Sequence, residues 1–172
     1  MYRFLDHDDD NCLELRIEGK DYAELIKTCF EYSAYFSFNI GFLRRNGIEP
    51  NIPKPYNVFE KYPHLAICDD IAVAECSEAA KDYLLHNVNE LFEWIDWHKN
   101  PEDLTFYRHD GSIFFWSLIH EGVCCIVERD GEDVSGVVKN HGCVELQQDT
   151  HDPFFIPYGL ASYVFEPIKK FR

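Results

Sequence analysis

Hydrophobic and polar residues alternate in several short stretches of the chain, which predicts β-strands. In residues 12–18 the apolar Leu13, Leu15 and Ile17 share one face and charged side chains share the other, as expected of a strand with one solvated face. The same alternation in residues 35–42 predicts a second strand with these inward side chains: Phe36, Phe38, Ile40 and Phe42. Residues 44–57 are rich in proline and glycine and are predicted to form a loop, followed by a short strand near Leu65–Cys68.

Two longer stretches have helical periodicity. Asp21 stands three residues before Glu24, the spacing of a capping box, and opens a helix. Its predicted buried stripe is Tyr22, Leu25, Ile26, Cys29 and Phe30. Ser77 is a suitable cap for a second helix that runs to about Trp97. Apolar residues in this helix recur at steps of four, three and four: Leu84, Val88, Leu91 and Ile95.

The following segment predicts a β-meander. Leu104–Arg108 and Ser112–Ile119 flank Asp110-Gly111, a strong hairpin signal, and Gly122 turns the chain into a strand at Val123–Val127. The last two of these strands are apolar on both faces, so they should lie at the centre of a sheet that is covered on both sides. A short helix over Asp133–Lys139 and a strand at Cys143–Leu146 complete the pattern.

These elements predict an α+β fold: a mostly antiparallel sheet of five to six strands with two main helices packed on it. The length of 172 residues suits one domain, so we expect residues 1–172 to form a single acidic domain. Residues 153–172 are interrupted by prolines and rich in aromatic residues. We expect them to dock on the domain as an irregular aromatic C-terminal strap.

The charge balance restricts the classes of partner. The chain has 31 acidic and 16 basic residues, a formal net charge of −15. Such a field repels nucleic acid and anionic membranes and speeds encounters with a basic protein. We therefore expect neither nucleic-acid nor membrane binding. The alternative interpretation is that the acidic surface serves only solubility.

The cysteines indicate a reducing compartment. The chain contains 7 cysteines, an odd number, without a Cys-x-x-Cys pair or the spacing of a disulfide framework. The first residues lack the apolar stretch of a signal peptide, and no apolar run is long enough for a membrane span. These features predict a cytoplasmic location.

Candidate chemistry is sparse. His120-Glu121-Gly122 followed by Cys124-Cys125 contains metal-ligand and nucleophile types. However, zinc sites need paired ligand spacings, and adjacent residues of a strand point to opposite faces. A negative field also disfavours the thiolate that a cysteine nucleophile needs. We therefore predict no catalytic residue, no metal site and no cofactor.

The strongest functional candidate is a surface rather than a catalytic site. Residues 120–152 contain eight acidic residues against Arg129 and Lys139. An acidic rim of this kind can meet a basic protein and raise its association rate, although a solvated loop is the plainer alternative. The predicted partner-binding residues are Glu121, Glu128, Asp130, Glu132, Asp133, Glu145 and Asp149.

A resemblance is carried by residues 101–138. The stretches Pro101–Arg108, Asp110-Gly111-Ser112, Phe114-Phe115 and His120-Glu121-Gly122 with Cys124 are similar to a group of small Firmicutes-type proteins, some labelled as sporulation-related. Proteins of this build resemble the immunity proteins of bacterial toxin–immunity systems, such as contact-dependent and polymorphic toxin systems. The resemblance implies a small acidic protein without catalytic activity that binds and neutralises a cognate toxin.

Three functional hypotheses follow. The first is an immunity protein, monomeric or a weak homodimer, that neutralises a basic toxin by charge-complementary contact. The second is a small enzyme with a site near His120, Glu121 and Cys124. The third is a housekeeping or regulatory protein-interaction domain that acts through an apolar groove or as a homodimer, with the aromatic C-terminal tail as its contact surface.

Overall fold

The computed structural model describes residues 2–5, 17–49, 71–95, 100–119, 123–139 and 143–146. The strands are β1 (Tyr2–Leu5), β2 (Tyr35–Asn39), β3 (Ile71–Glu75), β4 (Glu102–Tyr107), β5 (Ile113–Leu118), β6 (Val123–Val127) and β7 (Cys143–Leu146). The helices are α1 (Gly19–Tyr32), α2 (Gly41–Arg45), α3 (Glu78–Asn87) and α4 (Ser135–Val138), with a 3₁₀ helix at Leu91–Ile95.

The seven strands form one sheet in the order β3-β2-β4-β5-β6-β1-β7. Every pairing of neighbours in this sheet is antiparallel. The predicted α+β class, with a mostly antiparallel sheet and two main helices packed on it, is confirmed. β1 lies between β6 and β7 and pairs with both, which brings the number of strands in the sheet to seven.

The face of the sheet that packs against the helices holds the core of the protein. Register places one row of apolar residues across five strands: Ala74, Phe36, Phe106, Phe115 and Ile126. All five belong to a single cluster of buried residues that also contains Leu25, Ile26 and Leu84 of the helices. A bulge in β5 adds Phe114 to the same cluster beside Phe115, because the two residues of a bulge oppose one residue on the partner strand.

The opposite face of the central strands is also buried. Its row runs through Val73, Ser37, Thr105, Trp116 and Cys125, and the relative exposure of each is 4% or less. The Ser37 hydroxyl and the Tyr107 phenol lie 3.0 Å apart and share a hydrogen bond on this face. The prediction that the strands now called β5 and β6 are central and covered on both sides is therefore confirmed.

The helix layer is joined by a buried polar contact. Tyr22 of α1 donates its hydroxyl to the carbonyl of Leu84 in α3 at 3.0 Å. The same oxygen accepts the indole N–H of Trp94, in the 3₁₀ helix, at 3.1 Å. One phenol thus connects three helical segments, and burial raises the pKa of Tyr22 well above its ordinary value, so its hydroxyl stays protonated.

Three predicted element boundaries are wrong. The helix expected from Ser77 to Trp97 ends at Asn87, and Val88 adopts an extended conformation there. The chain turns at this point to pair with the start of α1, since Gly19 donates its N–H to Asn89 and Leu91 donates to Ile17. Those distant partners end the helix, although its apolar spacing continues.

The second wrong boundary lies in β2, which ends at Asn39 and is followed by the short helix α2. The Asn39 side chain accepts the N–H of Gly41 at 3.0 Å and turns the chain. Phe42, which alternation predicted to face inward, is therefore exposed. Similarly, α1 starts at Gly19 rather than at Asp21, with Glu18 in the cap position.

Local signals at other boundaries are confirmed. The Ser77 hydroxyl accepts the N–H of Ala80 at 3.2 Å and caps α3. Asp110-Gly111 forms the turn between β4 and β5, where Gly111 has a φ of 78°. Residues 12–16 of the strand predicted at 12–18, the strand predicted at Leu65–Cys68 and the strap at 153–172 lie outside the described residues.

Candidate functional site

The topology collects carboxylates at one end of the sheet. Register aligns Glu75 with Tyr35, Tyr35 with Tyr107 and Tyr107 with Ile113, so five elements meet here: the ends of α1, β3 and β4 and the starts of β2 and β5. The end of β6 lies beside the start of β5. We call the following set the acidic end: Glu31, Glu75, Glu78, Asp110, Glu128, Asp130, Glu132 and Asp133.

A buried arginine organises this end. Arg108 follows β4, and its side chain is 7% exposed. It forms a bidentate ion pair with Glu132, with Nε donating to Oε1 and Nη2 donating to Oε2, both at 2.6 Å. The remaining guanidinium N–H groups donate to the Ser112 hydroxyl and to the carbonyls of Ile113 and Val127.

The aromatic ring of Phe114 packs against the guanidinium of Arg108. The Arg108 Cζ atom lies 5.1 Å from the centre of this ring, within the range of a cation–π contact. The side chain of Glu132 is itself only 12% exposed. Partial burial raises the pKa of Glu132, but the hydrogen bonds from Arg108 and the Arg129 N–H outweigh it and lower that pKa.

A second ion pair joins the hairpin to the turn after β6. Arg129 donates from Nη1 to Oδ2 of Asp110 at 2.7 Å. The other carboxylate oxygen of Asp110 accepts the N–H and the hydroxyl of Ser112. Partial burial acts to raise the pKa of Asp110, yet the hydrogen bonds from Ser112 and Arg129 lower it well below its ordinary value. Asp110 therefore stays ionised under all physiological conditions.

The turn of residues 128–133 is also fixed to α1. Asp133 donates its N–H to the Tyr32 hydroxyl at 3.0 Å. Its carboxylate accepts the N–H of Ser135 at 3.0 Å, and the hydrogen bonds from Ser135 lower the pKa of Asp133. Asp130 and Asp133 are exposed, and Glu128 is half-buried.

The electrostatics of the acidic end are dominated by negative charge. Three cations at this end form ion pairs with its carboxylates: Arg108 with Glu132, Arg129 with Asp110 and Lys81 with Glu78. The last turn of α1 has no basic residue. The negative end of its helix dipole therefore adds to the field of the carboxylates.

The structure brings together part of the predicted binding set. Glu128, Asp130, Glu132 and Asp133 share the turn, and Glu132 is held inward by Arg108 while Asp130 and Asp133 face solvent. Glu121 lies outside the described residues. Asp149 and the side chain of Glu145 are likewise outside the described part. The backbone of Glu145, in β7, pairs with that of Arg3 in β1.

Four carboxylates of the acidic end are absent from the predicted binding set: Asp110, which the sequence indicated only as a turn residue, and three that lie elsewhere in the chain. Glu31, Glu75 and Glu78 are exposed and far in sequence from the turn. They join it only because β2 lies between β3 and β4 and because α1 ends beside the turn. In the sequence they are three acids near the ends of predicted elements. They cannot be assigned to one surface until the strand order is known.

The cysteine of the proposed enzyme site is buried. Cys124 is 1% exposed and belongs to the core cluster on the helix face, whereas Cys125 is buried on the opposite face. His120 and Glu121 lie outside the described residues. Burial raises the pKa of Cys76 to about 12 and that of Cys29 well above its ordinary value, so both thiols stay protonated.

Comparisons with known proteins identify no relative, since no family model, no curated protein and no solved structure matches the chain. Within the described ranges, no group of three or more His, Cys, Asp or Glu side chains is placed to hold a metal ion. Nor does any helix of those ranges have the length and apolar character needed to cross a membrane.

Proposed function

We propose that this chain is an immunity protein that binds a basic bacterial toxin and neutralises it without catalysis. The observation that supports the proposal is the acidic end, where carboxylates from distant parts of the sequence share one surface. In this proposal the protein acts in the cytoplasm, as a monomer or a weak homodimer.

The physical basis is electrostatic complementarity. A concentrated negative surface attracts a basic protein over several ångströms and raises the association rate, especially at low salt. Carboxylates held on a fixed turn can also stand in for the phosphates that a basic, nucleic-acid-binding toxin would contact. A stable complex needs an interface of roughly 800 Å² on each partner, more than the turn alone offers. The wider acidic end is therefore the proposed contact surface.

Residues 101–138, which carry the resemblance to immunity proteins, include part of the acidic end. This stretch begins before β4 and ends with α4. It therefore contains Arg108, Asp110, Glu132 and Asp133, which build the hairpin and turn of the acidic end.

A pull-down from the native host tests the proposal. The tagged protein is applied to a lysate at low salt, the bound proteins are identified, and elution is repeated at high salt. We expect a stoichiometric basic protein that leaves as the salt concentration rises. Expressing that protein alone should arrest growth, and co-expressing this chain should restore it. Recovery of a salt-resistant, acidic or non-toxic partner would contradict the proposal.

A further inference from the structure

Arg108 uses its whole hydrogen-bonding capacity inside the protein. A guanidinium has five N–H donors, and all five of those of Arg108 reach acceptors in three separate segments. Ser112 and Ile113 belong to the hairpin, Val127 ends β6, and Glu132 belongs to the turn. With its side chain 7% exposed, Arg108 has almost no surface to offer a partner.

We infer that Arg108 is the positioning residue of the acidic end. It holds the turn of residues 128–133 in the conformation that presents Asp130 and Asp133 to solvent, and thereby sets the affinity for a basic partner that it does not touch. Only the binding part of this inference rests on the proposed function. The ordering of the turn in the free protein is independent of any partner.

The geometry explains why this position requires arginine. The bidentate pair with Glu132 fixes both the distance and the orientation of the turn, since both N–O distances are 2.6 Å. A lysine has the same charge but only three donors on one nitrogen. It cannot reach Glu132 and the carbonyls of Ile113 and Val127 together. Arg108→Lys therefore separates positioning from charge.

The paired carboxylate gives a second, independent variant with a matched control. Glu132→Gln removes one negative charge from a side chain that is 12% exposed and bonded to Arg108. Glu75→Gln removes the same charge from an exposed side chain of the acidic end. If charge alone determined binding, the exposed Glu75 would matter at least as much as the partly buried Glu132, and Arg108→Lys would have no effect.

The first measurement is backbone amide exchange in the free, full-length chain. The Arg129 N–H donates to Glu132, the Glu132 N–H to the Arg129 carbonyl and the Asp133 N–H to Tyr32. In Arg108→Lys and Glu132→Gln we expect these amides to exchange about tenfold faster, because charge-assisted hydrogen bonds that hold the turn are lost. Amides of β2 and β4 should stay protected, and Glu75→Gln should resemble the wild type. Equal exchange in all four proteins would overturn the inference.

The second measurement is the affinity for a six-arginine peptide at low salt. The positioning role predicts about tenfold weaker binding by Arg108→Lys and Glu132→Gln, because the turn must be ordered on binding, and a smaller loss for Glu75→Gln. Wild-type affinity in Arg108→Lys would overturn the binding part of the inference. If the wild type itself shows no salt-sensitive binding, the proposed function and the binding part both fail. Amide exchange still decides the ordering role in that case.

Discussion

Asp103 shows how a single residue adapts the sheet to its neighbours. It lies in β4 with a φ of 55°, a left-handed conformation that non-glycine residues rarely adopt. The register between β2 and β4 shifts at this point, as expected where one strand has an extra residue. The Asp103 carboxylate is buried and accepts the N–H of Ile119 at 3.1 Å. Aspartate thus meets two needs, since it tolerates the backbone conformation and supplies an acceptor at the end of β5.

Substitutions at Asp103 should rank in a specific order. Asp103→Asn keeps both the acceptor and the tolerance for a left-handed backbone, so we expect a loss below about 1 kcal/mol. Asp103→Ala leaves the buried N–H of Ile119 unpaired and adds backbone strain, which should cost about 3 kcal/mol. Urea unfolding of the two variants and the wild type measures these losses. An alanine variant as stable as the asparagine variant would contradict this explanation.

The buried thiol of Cys29 and the partly buried thiol of Cys76 predict a pH dependence of stability. Burial raises the pKa of Cys29 well above its ordinary value and that of Cys76 to about 12. In the unfolded chain a thiol ionises near a pKa of about 8.5. The stability that the neutral thiols contribute is therefore complete below that pH and is lost as the pH rises toward the folded pKa. We expect the free energy of unfolding to fall by up to about 1.4 kcal/mol per pH unit for each thiol.

Urea unfolding between about pH 8 and pH 10 checks this slope, because tyrosines begin to ionise only at the upper limit. Replacing both cysteines with alanine should flatten the curve, whatever it does to the stability at neutral pH. The same slope in the Cys29→Ala, Cys76→Ala double variant would show that these thiols do not cause the pH dependence.

At the level of elements, the hydroxyl of Tyr22 joins the helix layer. It donates to Leu84 and accepts from Trp94, and all three residues are buried in the core. Tyr22→Phe preserves the ring and removes the oxygen, leaving a buried carbonyl and a buried indole N–H without this partner. We expect a loss of about 2 kcal/mol in urea unfolding. A loss below about 0.5 kcal/mol would show that water or rearrangement replaces the phenol.

The elements also show what the sequence could predict. Signals that act over a few residues were reliable at two boundaries: Ser77 caps α3, and Asp110-Gly111 makes the hairpin. The capping-box spacing of Asp21 and Glu24 was misleading, since α1 begins at Gly19. Signals that depend on distant partners failed. The break at Val88 arises because the chain pairs with Ile17 and Gly19, about 70 residues earlier. The alternation through Phe42 was misleading for a local reason, because the Asn39 side chain accepts the N–H of Gly41 and turns the chain.

Only part of the acidic end could be predicted from the sequence, because the rest of it depends on which distant segments lie side by side. The charges of the turn, Glu128 to Asp133, are adjacent in sequence and were identified as a set. The contributions of Glu31, Glu75 and Glu78 depend on the strand order β3-β2-β4 and on the direction of α1. The burial of Glu132 was also hidden, because the pattern gave no sign that Arg108, 24 residues earlier, would pair with it.

At the scale of the whole molecule, the proposed binding depends on where the charge lies rather than on its total. The net charge of −15 acts at long range on any basic protein. A specific partner, however, must distinguish the acidic end from the rest of the surface. Two variants with equal loss of charge separate these contributions, because exposed carboxylates are present both at the acidic end and elsewhere.

The most direct test compares two triple variants in the low-salt pull-down. The first, Glu128→Gln, Asp130→Asn and Asp133→Asn, removes three negative charges from the turn. The control, Glu18→Gln, Glu49→Gln and Asp82→Asn, removes three charges from exposed residues outside the acidic end. We predict that the first variant loses the basic partner, by about tenfold or more in affinity, while the control retains it. Equal capture by the two variants would contradict the claim that the acidic end is the binding surface.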